Sequence, residues 1–136
     1  RPLSLLFLDL DGFKGVNDAH GHQAGSTALV EAAAVIRRCA RETDMVARFG
    51  GDEFAIILPD TGSEGAASVG DRVRERVEAH PFLAGNGLNL RLTVSVGVAT
   101  LPDVAASAEE LVRAADMAMY QVKDSGKNGV RIAQAE

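Results

Sequence analysis

The chain has a single cysteine, Cys39, among 136 residues, so no internal disulfide can form. A free cysteine behaves as a small apolar group, and this one is expected buried on a helix. The lack of paired thiols fits a reducing, cytoplasmic compartment. No apolar run approaches the ~20 residues needed to cross a bilayer, and no signal peptide is visible. Direct membrane contact by this domain is therefore not expected. Positive charge is not in excess either. The net charge of −5 argues against binding a nucleic-acid polymer. A small anionic ligand needs only a few local cations and a metal. Internal repeats are missing, as is the GxxxxGK[ST] phosphate loop. What is present, 46% apolar and 24% charged residues, is the composition of one globular domain with a single core over residues 1–136.

Hydrophobic spacing divides the chain into elements. Residues 3–9 (LSLLFLD) form a short apolar run ending in acid, the pattern of a buried central strand. Residues 12–25, rich in Gly, Asn, Asp and His, read as a turn-containing connection. An amphipathic helix is predicted over 26–41. Runs 45–49 and 54–58, joined by Gly50-Gly51-Asp52-Glu53, predict a hairpin, and Pro59-Asp60-Thr61-Gly62 breaks the chain. A second helix is expected over 63–80 and a Val/Thr-rich strand over 90–100. A third helix over 107–123 opens with Ser107 and Glu110 at capping-box spacing. A last short strand spans 128–132. The order β-α-β-β-α-β-α-β predicts an α/β sandwich of ferredoxin-like, palm type. Met117, Met119 and Tyr120 recur at helical spacing and are assigned to the core.

Three groups of residues carry chemistry. Asp9 and Asp11 end a buried strand, Asp52 and Glu53 sit at a hairpin tip, and Lys123 and Lys127 close a helix beside Gly126. A carboxylate at a strand end also serves as a turn former or helix cap. If the hairpin packs beside the first strand, however, Asp9 and Asp52 converge. Convergent carboxylates bind Mg²⁺ when substrate phosphates complete its octahedron. Gly12, Phe13 and Lys14 offer backbone N–H groups at the start of a helical turn, which is either an anion site or a plain turn. Lys123 and Lys127, four apart, either end a solvated helix or hold a phosphate between them. His20 and His22 flank Gly21 in a turn and are expected only to shape it.

Taken together these residues resemble the GGDEF family of diguanylate cyclases. Gly50-Gly51-Asp52-Glu53-Phe54 lies within ARFGGDEFAIILP, flanked by LDLDGFKGVNDAHGHQAG, LTVSVGVA and ADMAMYQVKDSGKNGV in family order. The resemblance implies a GGDEF-type fold with a central, mostly antiparallel sheet flanked by helices. It implies a Mg²⁺-dependent enzyme, with Mn²⁺ as a substitute, that condenses two nucleoside triphosphates into a cyclic dinucleotide. Asp9, Asp52 and the Leu10 carbonyl look like metal ligands. Glu53 would assist metal binding or activation of the 3′-hydroxyl. The backbone of Gly12, Phe13 and Lys14 would hold phosphates, and Lys123 and Lys127 would pair with the terminal ones. Asn17 looks like a base-reading residue, and Gly51 is small so that base and ribose can lie against the hairpin. Two domains must face each other, so a homodimer is implied for catalysis. Arg41-Glu42-Thr43-Asp44 resembles the RxxD motif that binds cyclic dinucleotide product, with Arg72 as a secondary arginine.

Three departures qualify the resemblance. Lys127 stands where most members have Arg, keeping the charge but losing the bidentate fork. The family's upstream LTGLxNR-type segment is missing, so the chain reads as trimmed from a longer protein that a membrane anchor could precede. Most informative is Ser26, which replaces the Asp of GHxxGD. A carboxylate only accepts hydrogen bonds and so suits guanine, whereas a hydroxyl also donates and tolerates adenine. The Ser resembles the hybrid promiscuous subgroup, which predicts use of both GTP and ATP and production of cyclic AMP-GMP alongside cyclic di-GMP. Ser26 as a simple helix cap predicts a strict diguanylate cyclase instead. A catalytically silent nucleotide receptor is the remaining alternative, and retention of Asp9, Asp52 and Glu53 argues against it.

Overall fold

The computed structural model describes residues 1–135. Its centre is β1 (Leu3–Asp11), flanked by β3 (Glu53–Pro59) and β4 (Thr93–Leu101) in a five-stranded sheet. The edges are β2 (Met45–Arg48) and β5 (Gly129–Ile132), giving the order β2-β3-β1-β4-β5. Every pairing is antiparallel except β4 with β5, which is parallel. Four helices flank the sheet: α1 (Phe13–His20), α2 (His22–Arg38), α3 (Ser63–Ala79) and α4 (Ala108–Asp124). The expected mostly antiparallel α/β sandwich is thus present.

The near-continuous apolar run of β1 follows from burial on both faces. Leu6, Leu8 and Leu10 join Phe54, Ile56, Leu58, Val94, Val96 and Val98 beneath the apolar stripes of α2 and α3. The other face places Leu5, Phe7, Ala55 and Ala99 against Leu111 and Ala115 of α4. Full burial of each large side chain stabilises by about 1.5–3 kcal/mol. Gly97 sets how closely α4 lies on the sheet, since a methyl group there would collide with the Ala115 carbonyl and the Met119 amide. Because α4 carries Lys123, this contact also fixes part of the site. Ser107 caps α4 as expected, accepting from the Glu110 amide (3.2 Å), while the Glu110 carboxylate accepts from Ala106 N–H (2.9 Å).

The structure corrects several expectations. Residues 12–25 are not a loop: they hold α1 and the first turn of α2, separated by Gly21 at φ +90°. Their Gly, Asn and His content lowers helix propensity, but burial of Phe13 and Val16 overrides it. As α2 begins at His22, Ser26 is an interior helical residue and caps nothing. The strand expected from residue 90 begins at Thr93, and Leu90 forms an isolated bridge with Phe82. Met119 is core, yet Met117 and Tyr120 are exposed, because α4 buries only the stripe through Leu111, Ala115, Ala118, Met119 and Val122. Cys39 is buried at the end of α2, as expected. No helix among the described residues is long and apolar enough to cross a membrane.

Candidate active site

Strand alternation decides which acids meet. Leu10 points into the core, so Asp9 and Asp11 share the opposite face. Asp9 stands opposite Glu53 in β3 and Ser95 in β4, and Asp11 stands opposite Thr93. The hairpin tip is closed by Phe49 N–H donating to the Glu53 carbonyl (2.8 Å). It is strapped to β1 by Leu10 N–H donating to the Asp52 carbonyl (3.1 Å). The hairpin therefore packs beside β1, and Asp9, Leu10, Asp52 and Glu53 gather at one end of the sheet. Gly51 has only open space where a side chain would stand, whereas one at Gly50 would meet Glu53 Oε1 at 2.9 Å.

Lys123 reaches this cluster from the last turn of α4. Its Nζ lies 2.8 Å from Asp11 Oδ1, 3.4 Å from Asp9 Oδ2 and 3.5 Å from the Leu10 carbonyl. Burial raises the Asp9 pKa most, Lys123 opposes it and the Asp52 charge adds to it, leaving Asp9 at about 6. Asp11 behaves oppositely. Burial would raise it, but hydrogen bonds from Lys123, Thr93, Ser95 and the Asn128 amide hold it below the usual carboxylate range. Burial would lower Lys123, yet the bond and charge of Asp11, with help from Asp9, keep it above its ordinary value.

Asp9 Oδ1 is buried and has no hydrogen-bond partner. Such an orphaned oxygen is costly unless something completes it. Among the described residues no group of three His, Cys, Asp or Glu side chains forms a ready metal cage. The donor set nonetheless fits Mg²⁺, which is typically held by one or two carboxylates plus substrate phosphates. Asp9, Asp52 and the Leu10 carbonyl supply that kind of partial shell.

The remaining predicted residues fall around this centre. Gly12 adopts φ +78° and leads directly into α1, whose first N–H groups at Phe13 and Lys14 have no intrahelical acceptor. The Lys14 side chain points away to Asp18 (3.1 Å) on an exposed surface. Lys127 is not on a helix with Lys123. It lies beyond the end of α4 in a turn where Gly126, Lys127 and Asn128 all have positive φ. The expected four-residue helical spacing of the two lysines is therefore corrected: Gly126 unwinds the chain between them. Asn17 faces Gly25, and its Oδ1 is buried without a partner. Ser26 follows Gly25 and is exposed.

Away from the acids, the turn after α2 places Arg41 on Asp44. Arg41 N–H and Nε donate to Asp44 Oδ2 (2.7 and 3.1 Å), and Nη2 donates to Oδ1 (2.8 Å) and to Thr61 Oγ1 (2.9 Å). Burial pushes the Asp44 carboxyl up, but the Arg41 bonds and the Arg41 and Arg37 charges bring it below the ordinary range. Arg72 donates to the Cys39 carbonyl (3.3 Å) at the end of α2. Sequence reasoning singled out Asp11 but gave it no partners, and it left Thr93, Ser95 and Asn128 without a role. The available signal was Thr93 and Ser95 alternating with Val94 and Val96 at the start of a strand that is otherwise apolar but for Thr100.

Residues 1–129 match the family described as Diguanylate cyclase, GGDEF domain. The chain is 38% identical to Diguanylate cyclase A of Treponema denticola over 98% of its own length and 36% of that protein. It is 39% identical to Diguanylate cyclase TpbB of Pseudomonas aeruginosa, covering 98% of this chain and 31% of that one. The solved GGDEF domain of TpbB superposes with TM-score 0.93 at 36% identity, over 99% of this chain and 84% of that one. The GGDEF domain of DgcB from Caulobacter crescentus, solved in complex with c-di-GMP, gives TM-score 0.89 at 34% identity over 97% and 78%. The chain belongs to the GGDEF domain family, and it spans about a third of the length of these two curated relatives.

Proposed function

We propose that this chain is the catalytic domain of a diguanylate cyclase, joining two GTP molecules into cyclic di-GMP. The observation that carries the proposal is Asp9, with one buried, unpartnered oxygen, brought beside Asp52 by the GGDEF hairpin. The relatives' names, diguanylate cyclases, support GTP as substrate and lend no support to ATP.

Asp9, Asp52 and the Leu10 carbonyl would hold Mg²⁺, which when bound supplies charge neutralisation at the phosphates and polarises the reacting hydroxyl. The Phe13 and Lys14 amides receive phosphate oxygens at the α1 N-terminus. Lys123 and Lys127 approach the terminal phosphates. Asn17 reads the base edge, and Glu53 assists the metal or takes the proton of the 3′-hydroxyl. Each 3′-oxygen bonds to the α-phosphorus of the other GTP as its bond to pyrophosphate breaks, so two pyrophosphates leave per product. The two reactants arrive on two domains, so a homodimer provides the proximity. We also propose that Arg41, Asp44 and Arg72 bind the cyclic dinucleotide product. A relative's complex with c-di-GMP makes that ligand class reasonable.

A second reading, use of ATP to make cyclic AMP-GMP, rests on Ser26 alone. Since Ser26 is interior to α2 and exposed, its hydroxyl is not spent on capping. Incubating dimeric domain with Mg²⁺ and equal GTP and ATP, then identifying products by mass, tests both readings. Cyclic di-GMP alone supports the main reading. Mixed product that Ser26→Asp abolishes establishes the second, and no product from a proven dimer removes both.

A further inference from the structure

Asp11 is the acid in this cluster without a role in the proposed metal shell, and it is the better satisfied one. It is 5% exposed and accepts from Thr93 Oγ1 (2.7 Å), Ser95 Oγ (2.8 Å), Asn128 N–H (3.0 Å) and Lys123 Nζ (2.8 Å). Four donors fill the four lone-pair sites of a carboxylate. They come from β4, α4 and the turn after α4, so Asp11 ties together the elements that present both site lysines. Lys123 meanwhile touches Asp9 and the Leu10 carbonyl only at 3.4 and 3.5 Å. Those are the atoms assigned above to the metal.

We propose that Asp11 is the fixed counter-ion on which Lys123 pivots. In the nucleotide-free domain the ammonium stands at Asp9 and the Leu10 carbonyl as a placeholder cation. A divalent ion held there would repel the ammonium, so Lys123 would turn toward the triphosphate without leaving Asp11. Asp11 is thus a positioning residue, acting through Lys123 and through the Lys127–Asn128 turn. The inference rests on the cyclase reading. Asn at position 11 cannot substitute. Whichever way its amide faces, its NH₂ meets either the Lys123 ammonium or the Asn128 N–H, both donors only.

Two measurements test this. The first is Mn²⁺ titration of the nucleotide-free domain, followed by the spin-resonance signal of free metal. Lys123→Met removes the competing cation and should tighten Mn²⁺ about fivefold to tenfold. Unchanged or weaker binding overturns the placeholder role. The second is a double-mutant cycle on affinity for an unreactive GTP analogue with Mg²⁺. Asp11→Asn and Lys123→Met should each weaken binding about tenfold, the size of one charge-assisted phosphate contact. The double variant should be no weaker than Lys123→Met alone. Multiplying effects, or a lowered melting temperature with affinity intact, makes Asp11 merely structural. The Mn²⁺ titration stands even if Asp11→Asn fails to fold. Wild-type domain that binds no analogue refutes the cyclase reading instead, which separates the two failures.

Discussion

Gly25→Ala should leave the fold intact while crippling base recognition. Gly25 is buried in the first turns of α2, with the Asn17 side chain packed onto its Cα. A methyl group there would overlap Asn17 Oδ1, stand 2.9 Å from its Cγ and 3.3 Å from Phe13 Cζ. Restoring ordinary contact at ~3.5 Å or more forces the amide aside by about 1 Å or more. Hydrogen bonds occupy a window of only ~0.5 Å, so such a move breaks whatever Asn17 makes with a base. Two bonds at roughly 0.5–1.5 kcal/mol each give a loss of about 1–3 kcal/mol, or about 5- to 150-fold in KM for GTP. Stability moves the other way, because Ala is favoured over Gly in a helix by about 1 kcal/mol. The displaced group is the end of a flexible side chain, so the melting temperature should stay within about 4 °C of the parent. Initial rates of pyrophosphate release against GTP concentration, with a thermal melt on the same sample, read both quantities. An unchanged KM in a well-folded variant would refute the assignment of Asn17 to the base.

Gly97→Ala should destabilise by about 3 kcal/mol, at the upper end for overpacking, because the methyl meets α4 backbone and not a mobile side chain. Chemical denaturation measures it, and a loss below about 1 kcal/mol would mean that α4 can lift from the sheet. Asp9 has a folded pKa near 6 against 3.8 unfolded, so the native state holds the extra proton between these values and stability falls as pH rises through that window. Asp9→Asn should therefore raise the melting temperature of the metal-free domain above pH 6, lose that advantage below about pH 4, and abolish pyrophosphate release at every pH. Melts across pH 3.5–8 check this, and a pH-independent gain would contradict it. Arg41→Ala should leave initial rates near parental and relieve inhibition by added cyclic di-GMP by tenfold or more, roughly one lost bidentate contact. Retained inhibition would place product elsewhere.

The sheet was readable because its strands follow simple rules: β1 is apolar from Leu5 to Leu8 since it is covered twice, and the β2–β3 turn announces itself with Gly50-Gly51. The helix α1 was not readable. Its Gly15, Asn17 and His20 favour turns locally, and only the burial of Phe13 and Val16 by distant residues makes it helical. The error propagated to Ser26, which looks like an N-cap only while residues 22–25 are taken as loop. Of the site, motif spacing pointed to Asp9, Asp52, Glu53 and Lys123. Asp11's network stayed hidden because Thr93, Ser95 and Asn128 are more than 80 residues away, and only the β1–β4 register and the positive-φ turn bring them to it.

That network bears on how a stable sheet tolerates an acidic cluster at the end of its central strand. Burial disfavours the ionised form of Asp9 and the neighbouring Asp52 charge adds to it, so without Lys123 Asp9 would favour a protonated form unsuited to a metal. Adding more cations at Asp9 would ionise it but would also fill the seat the metal needs. Assigning the strong bonds to Asp11 separates the two demands. Lys123 is held firmly by an acid outside the proposed metal shell, and it lends Asp9 a charge that is close enough to count and loose enough to leave. The orphaned Asp9 oxygen is then the residual cost of keeping one coordination position open. Filling it by mutation should stabilise the domain and end its chemistry together, which is the pattern Asp9→Asn is expected to show.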